Sequence, residues 1–233
     1  MNLFYTPDLY GDEYQLSEEE SKHIIRVLRF KKGDIVFLTN GKGDFYKAEI
    51  EDDHPKSCIV KIIETIHDYG KRNYRLHVAI APTKNLDRME WFLEKATEIG
   101  IDEISPIICD HSERRELKTE RLNKVIISAL KQSVKAYLPK LNEAVPFKKF
   151  VAEKFNSQKF ICSVEAEKTN LLQHRYKKES DVLILIGPEG DFSKEEIKMA
   201  AENNFEIAWL GESRLRTETA AIVVCNTISL MNQ

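Results

Sequence analysis

The chain has 233 residues, of which 42% are hydrophobic and 31% are charged, and its formal net charge is −3 at neutral pH. These values fit a soluble globular protein of one large or two small domains, and they exclude a protein that binds nucleic acid through an overall basic surface. The four cysteines, Cys58, Cys109, Cys162 and Cys225, form no C-x-x-C pair, so neither a zinc site nor a redox motif is expected.

Neither end of the chain carries a targeting or spanning signal. Residues 1–5 lack the basic and the long apolar regions of a secretory signal peptide. The longest apolar stretch of the C-terminal tail, 220–225, is far too short to span a bilayer. We therefore expect a reduced, cytoplasmic protein with no membrane partner and no bound metal.

Residues 1–70 carry the signals of a small β domain. Ser17, followed three residues later by Glu20, is typical of a capping box and predicts a short helix. Short strands joined by polar turns favour a sandwich or a small barrel. The predicted strands are 35–39, 45–50 and 58–66, with the two-residue hairpin signal Asn40-Gly41 between the first two.

Strands alternate with helices from residue 71 to residue 233, which predicts βαβ units and a mostly parallel sheet. The strands have a near-continuous apolar character that fits burial on both faces. The predicted strands are 76–81, 104–109, 160–164, 182–186 and 208–210. The predicted helix caps are Asp87, Ser193 and Thr217, and a further helix is expected to begin at Thr119.

Two local clusters of basic residues could contact a nucleic acid, although either could equally be a solvated helix face. The first contains His23, Arg26, Arg29, Lys31 and Lys32. The second contains Arg114, Arg115, Lys118, Arg121 and Lys124.

Two loops near the C-terminus are the most informative part of the chain. Residues 186–193 (IGPEGDFS) follow an apolar strand, and residues 210–220 (LGESRLRTETA) precede an apolar helix. Ligands of open α/β sheets bind at such strand ends, where glycines let the backbone approach closely. The chain has neither a dinucleotide fingerprint nor a P-loop, so one pocket of another kind is expected.

The charges in these loops restrict the ligand. Glu189 beside a tight glycine turn would repel phosphates and would suit a cationic or amino-bearing ligand. Arg214 and Arg216 lie just before a helix, where a cation is unfavourable unless an anion pairs with it. Either a phosphate or Glu218 could be that anion.

The two loops, in this order, resemble the diagnostic motifs of the ribosomal small-subunit methyltransferase E family, in the SPOUT class of RNA methyltransferases. The resemblance covers nearly the whole chain. It departs from the family at Asp191, where glycine is usual, and at Lys131, where glutamate is usual and the lysine adds a positive charge near Gln132. Further matching residues are Lys84, Arg88, Lys95, Glu98, Gly100, Pro106, Ser112, Glu113, Ser128 and Ser133.

The resemblance implies a fold, a reaction and partners. Residues 71–233 would form an α/β domain with a deep trefoil knot, and residues 1–70 a PUA-like RNA-binding β-barrel. The enzyme would transfer a methyl group from S-adenosylmethionine to N3 of a uridine in small-subunit (16S) ribosomal RNA. A homodimer would be the active unit.

Site residues follow from the loops and the resemblance together. Arg216 is expected to stabilise the developing uridine anion, with Glu218 orienting it or assisting proton removal. Arg114 is a third catalytic candidate, which could reach across the dimer. His23, Arg26, Arg29 and Lys31 are expected to bind RNA phosphates. The expected cofactor-binding residues are Ser163, Ile186, Gly187, Pro188, Glu189, Gly190, Leu210, Gly211, Leu215, Thr219 and Ala220.

Two alternatives stay open. A SPOUT enzyme could act on another RNA base or on tRNA. The chain could instead be a non-enzymatic RNA-binding or ribosome assembly protein with a disused pocket.

Overall fold

The computed structural model describes residues 1–233 and divides them into two compact units. The first unit is Met1–Lys71 with Ile127–Leu138, and the second is Arg72–Ile126 with Pro139–Gln233. The segment Ile127–Leu138, which the sequence placed in the second domain, therefore belongs to the first unit. The reason is packing, because buried Leu130 and Ala136 share a core cluster with Leu3 and Phe45.

The first unit contains a five-stranded sheet in the order β1-β3-β4-β5-β2. Strands β3 to β5 form an antiparallel meander, while β1 pairs in parallel with β3. Strands β1 and β2 were not predicted, because three residues give too short a pattern. The elements are β1 (Leu3–Tyr5), β2 (Glu13–Gln15), α1 (Glu18–Lys22), a π-helical turn (His23–Val27), β3 (Ile35–Thr39), β4 (Phe45–Asp52) and β5 (Ile59–Ile66).

The turn between β3 and β4 lies where Asn40-Gly41 predicts it, but it is five residues long rather than two. The Asn40 carboxamide oxygen accepts hydrogen bonds from the backbone N–H groups of Lys42 (2.8 Å) and Asp44 (3.2 Å). These bonds stabilise a wider loop than a two-residue hairpin turn.

The second unit contains a parallel sheet in the order β12-β10-β11-β6-β7-β8, with β9 also paired to β7. Every residue of β11 is buried, as its continuous apolar run predicts. The strands are β6 (Leu76–Ile80), β7 (Glu103–Ile108), β8 (Lys140–Leu141), β9 (Val145–Pro146), β10 (Gln158–Cys162), β11 (Val182–Ile186) and β12 (Glu206–Ala208). The helices of this unit are α2 (Leu86–Ile99), α4 (Phe147–Val151), α5 (Leu172–Arg175), α6 (Lys194–Glu202) and α7 (Thr217–Met231). Helix α3 (Thr119–Gln132) begins in the second unit, and its residues from Ile127 onward belong to the first.

Two of the predicted helix caps are wrong by one or two residues. Helix α2 is capped by Asn85, whose side chain accepts a hydrogen bond from the Asp87 N–H at 3.0 Å. Helix α7 has Arg216 at its N-cap position, so Thr217 is its first helical residue. The capping box at Ser193 is confirmed in full.

The α/β class and the parallel sheet are confirmed, while the deep trefoil knot stays a prediction. All four cysteines are free and buried. Burial raises the pKa of the Cys58 thiol to about 11 and that of Cys225 to about 12. No helix has both the length and the apolar character needed to cross a membrane. No group of three or more metal-ligating side chains is placed to hold a metal ion.

Candidate functional site

Three neighbouring parallel strands, β12, β10 and β11, end at the same edge of the sheet. The loops that follow them line a cavity of about 610 Å³, which we call the loop cavity. This volume lies within the range typical of small-molecule sites. The lining residues are Cys162–Val164, Ala166, Lys168, Ile186–Asp191, Trp209–Leu215, Thr217 and Ala220.

The structure brings ten of the eleven predicted cofactor-binding residues to the loop cavity, from Ser163 to Ala220. Thr219, the eleventh, lines a neighbouring cavity instead. Since successive residues of a helix point in different directions, Thr219 and Ala220 face different spaces. Asp191 and Trp209 also line the loop cavity and were not predicted to do so.

The start of α7 is tied directly to the loop after β11. The buried Thr217 hydroxyl donates a hydrogen bond to the Gly187 carbonyl at 3.0 Å. The hydroxyl that was expected to cap the helix therefore joins the two loops that carry the diagnostic motifs.

Asp191 joins the loop after β11 to the end of β10. One carboxylate oxygen accepts hydrogen bonds from the Ser163 hydroxyl (2.8 Å) and the Val164 N–H (3.0 Å). The other accepts from the Phe192 N–H at 2.8 Å, and the residue has a left-handed φ of 60°. The Asp191 carbonyl also bonds the His111 ring at 2.9 Å, which raises the pKa of His111. Asp191 thus adopts a conformation that favours glycine and contributes a carboxylate bridge.

The two loop glycines have different roles. A Cβ on Gly187 would lie 3.1 Å from the Phe192 ring, so packing within its own loop leaves little room for a side chain at this position. From the sequence, Gly187 is explained by close approach of a ligand to the backbone, and the contact with Phe192 is a second reason for glycine at this position. Gly211 has a φ of 121°, which strongly favours glycine, and a Cβ added to it would meet no atom within 4 Å.

Glu189 is exposed, lines the loop cavity and is bonded to the segment after β6. Its carboxylate accepts a hydrogen bond from the Lys84 N–H at 3.1 Å. Arg114 donates to the carbonyls of Thr83 (3.2 Å) and Lys84 (2.9 Å). Arg114 lines neither cavity, so the structure does not bring it to the other two catalytic candidates.

A second cavity of about 540 Å³ adjoins the first, and we call it the arginine cavity. The two cavities share Arg214 and Leu215, so they are contiguous. The lining residues of the arginine cavity are Asp87, Arg88, Trp91, Arg214, Leu215, Arg216, Glu218 and Thr219.

Arg216 and Glu218 both lie in the arginine cavity but do not pair with each other. Arg216 is exposed and forms no ion pair. Glu218 is only 6% exposed, and its Oε1 lies 3.7 Å from Nε of Arg88. Its Oε2 is buried and has no hydrogen-bond partner. A buried, unpartnered carboxylate oxygen is costly, which points to a ligand that donates to it.

The predicted RNA-binding residues of the first unit, His23, Arg26, Arg29 and Lys31, are all exposed. Lys131, by contrast, is not a free positive charge. Its ammonium lies 2.5 Å from a Glu20 carboxylate oxygen and 5.5 Å from the centre of the Phe4 ring. In the second basic cluster, Arg121 is paired with Glu90 at 2.6 Å.

Comparisons with known proteins match both parts of the chain to RNA methyltransferases. Residues 70–229 match the family described as RNA methyltransferase domain, and residues 16–63 match the RNA methyltransferase PUA domain. A crystal structure of a probable rRNA-methyltransferase from Porphyromonas gingivalis is 42% identical, with a TM-score of 0.93 over 100% of this chain and 98% of that one. A Legionella pneumophila protein described as a methyltransferase, solved with bound S-adenosylmethionine, is 30% identical, with a TM-score of 0.87 over 99% and 97% of the two chains.

The fold and these matches define the class, and the chain belongs to the family of RNA methyltransferases with an N-terminal PUA domain. Within it, the chain is similar to proteins named ribosomal RNA small subunit methyltransferase E. The protein of that name from Rickettsia conorii is 29% identical over 95% of this chain and 91% of its own length. That from Aquifex aeolicus is 29% identical over 98% and 99%. The family resemblance seen in the sequence is confirmed.

Proposed function

We propose that this protein transfers a methyl group from S-adenosylmethionine to N3 of a uridine in small-subunit ribosomal RNA. The observation that carries the proposal is the contiguity of the loop cavity with the arginine cavity. The first has the size and the strand-end position of a cofactor site. The second presents an unpartnered carboxylate oxygen and three guanidinium groups beside it.

The residues of the loop cavity fit the proposed methyl donor. Glycine-bearing loops expose backbone N–H and C=O groups, and Leu210 and Leu215 offer aliphatic surface to an adenine ring. Glu189 and Asp191 add negative charge, which suits a ligand with an amino group and a sulfonium. When bound, S-adenosylmethionine supplies an electrophilic methyl group and leaves as a neutral thioether.

In the arginine cavity the protein would handle the charge and the proton of the acceptor base. The new bond joins N3 to the methyl carbon, and the N3 proton must leave the base. We place that proton on Glu218 Oε2, the free buried acceptor. Arg216 would stabilise the negative charge that develops on the flanking carbonyl oxygens.

Single-turnover methylation by Arg216→Ala tests this assignment. With cofactor and RNA saturating, the methyl-transfer rate should fall on the order of a hundredfold or more, because one electrostatic donor is lost. Arg216→Lys should recover only part of the rate, since lysine lacks the planar fork of donors. Arg75→Ala is the matched control, because Arg75 is exposed, lines neither cavity and lies just before the start of β6.

Three results would each refute a different part of the proposal. A normal methyl-transfer rate in Arg216→Ala would refute the catalytic role of this arginine. A wild-type protein that does not bind S-adenosylmethionine in calorimetry would refute the whole proposal and favour an RNA-binding or assembly protein. Methylation mapped to tRNA or to another base would refute the substrate.

We also propose the partners and the setting of the reaction. The exposed basic residues of the first unit, from His23 to Lys31, would bind RNA phosphates in the cytoplasm, and two copies of the chain would form a homodimer. Support for the dimer is the largely apolar helix α7, on which Leu230 is 58% exposed. The family resemblance supports the same assembly.

A further inference from the structure

We propose that the arginine cavity is a uracil-recognition site in which Trp91 stacks on the face of the acceptor base and Glu218 reads its N3–H. This inference rests on the proposed function and specifies how its substrate is selected.

Trp91 is the first element of the site. Its indole is 43% exposed although tryptophan is usually mostly buried, and it lines the arginine cavity rather than the core. Arg88 lies one helical turn before it on α2, so both side chains project from one face of the helix. Base–aromatic stacking is a general means of holding an unstacked nucleotide.

The polar groups of the cavity complement one edge of uracil. That edge presents an N3–H donor between two carbonyl acceptors. Glu218 Oε2 is a buried acceptor without a partner, and it lies in a cavity that also contains the donors Arg88 and Arg216. The cavity therefore offers one carboxylate acceptor for the N3–H and guanidinium donors for the two carbonyls, which are the groups that this edge of uracil requires.

The same arrangement disfavours cytosine. Cytosine has a lone pair at N3 in place of the N–H, and an amino group in place of one carbonyl. Its N3 would face the Glu218 carboxylate, and its amino group would face a guanidinium. Leaving buried polar groups unpaired gives strong discrimination between such analogues.

Arg88 is a positioning residue for this recognition. Its Nε lies 3.7 Å from Glu218 Oε1, the oxygen that does not face the proposed base. Since α2 packs against α7, the ion pair fixes the carboxylate between the two helices and leaves Oε2 for the ligand. Loss of Arg88 should therefore weaken selection of uracil over cytosine.

The first experiment measures methylation of unmodified small ribosomal subunits by Trp91→Ala, Trp91→Phe and wild type. Trp91→Ala should lower kcat/KM for the subunits roughly 5- to 150-fold, the range expected for one lost stacking contact. Trp91→Phe should restore most of that loss, and cofactor affinity and melting temperature should stay unchanged. Glu94→Gln, on the same helix and outside the cavity, is the control.

The second experiment uses tryptophan fluorescence. The chain has two tryptophans, so the part of the quenching that Trp91→Phe abolishes is assigned to Trp91. With S-adenosylhomocysteine present, uridine 5′-monophosphate should quench Trp91 at concentrations at least tenfold lower than cytidine 5′-monophosphate. Adding Glu218→Gln or Arg88→Ala should reduce that preference to threefold or less.

Four results would overturn the inference. The first is a kcat/KM of Trp91→Ala within twofold of wild type, and the second is an equal loss of kcat/KM in Trp91→Ala and Trp91→Phe. The third is a loss of cofactor affinity in Trp91→Ala as large as its loss of kcat/KM. The fourth is equal quenching by uridine 5′-monophosphate and cytidine 5′-monophosphate. A Trp91→Ala protein that became monomeric would assign Trp91 to an interface instead. If the wild type methylated no small subunits at all, the proposed function itself would fail.

Discussion

Replacing Asp191 by glycine should destabilise this protein, although the backbone there is left-handed and therefore favours glycine. The carboxylate makes two hydrogen bonds across to the end of β10, from the Ser163 hydroxyl and the Val164 N–H. Hydrogen bonds to a charged group contribute about 1.5 to 3 kcal/mol each. Because Asp191 is partly exposed, we take the lower value and obtain about 3 kcal/mol for the pair.

Glycine acts on the backbone in two opposing ways. It relieves left-handed strain of about 1 kcal/mol. It also increases the entropy of the unfolded chain, which costs about 0.5 to 1 kcal/mol. These contributions nearly cancel, so the net loss in the free energy of unfolding should be about 2 to 3 kcal/mol.

Asn204→Gly is the matched control for the backbone contribution. Asn204 has a φ of 63°, close to the 60° of Asp191, and its side chain forms no hydrogen bond. Urea unfolding of both variants should therefore show a loss for Asp191→Gly alone, with Asn204→Gly within about 1 kcal/mol of wild type. Calorimetry should also show weaker binding of S-adenosylmethionine by Asp191→Gly. Equal stabilities for the two variants, or unchanged cofactor affinity, would refute the role assigned to the carboxylate bridge.

Three further predictions concern other parts of the molecule. The double variant Arg26→Ala/Arg29→Ala should bind RNA more weakly, and its affinity should depend less steeply on salt concentration, because fewer counterions are released. Its cofactor affinity should stay normal. An unchanged salt dependence would mean that these arginines only face solvent. Burial lowers the pKa of His77 from 6.5 to about 4, so its neutral form stabilises the fold above pH 6.5, and that contribution is lost as the pH falls toward 4. The loss should be on the order of 3 kcal/mol in urea unfolding, and His77→Gln should abolish this part of the pH dependence. Light scattering at micromolar concentration should show a dimer, and a monomer alone would contradict the assembly proposed for α7.

The sequence predicted the parallel sheet because its strands are apolar throughout and its loops carry glycines at strand ends. It also predicted most of the loop cavity, since loops that follow neighbouring parallel strands meet at one edge. Arg88 is one of several residues that match the family, but the sequence assigns no role to it or to Trp91, because an indole or a guanidinium on a helix has no signal that distinguishes a cavity from solvent. Their role depends on how α2 packs against α7, which is a tertiary contact.

Asp191 shows a different limit. The family resemblance implies a glycine at this position, but only the structure shows that the carboxylate reaches Ser163 and Val164. Likewise, Lys131 looks like an added positive charge until its contact with Glu20 is seen. Both side chains are partnered by residues far away in the chain, and single-sequence patterns report only near neighbours.

The membership of Ile127–Leu138 in the first unit has a consequence for how the nascent chain matures. The Gly43 N–H donates to the Ala136 carbonyl, and the Leu138 N–H donates to the Gly41 carbonyl, each at 2.9 Å. When Lys71 leaves the ribosome, the N-terminal β domain therefore still lacks part of its own core. It can be completed only after strands β6 and β7 and helix α3 of the same polypeptide have been synthesised, so the unit made first is not finished first.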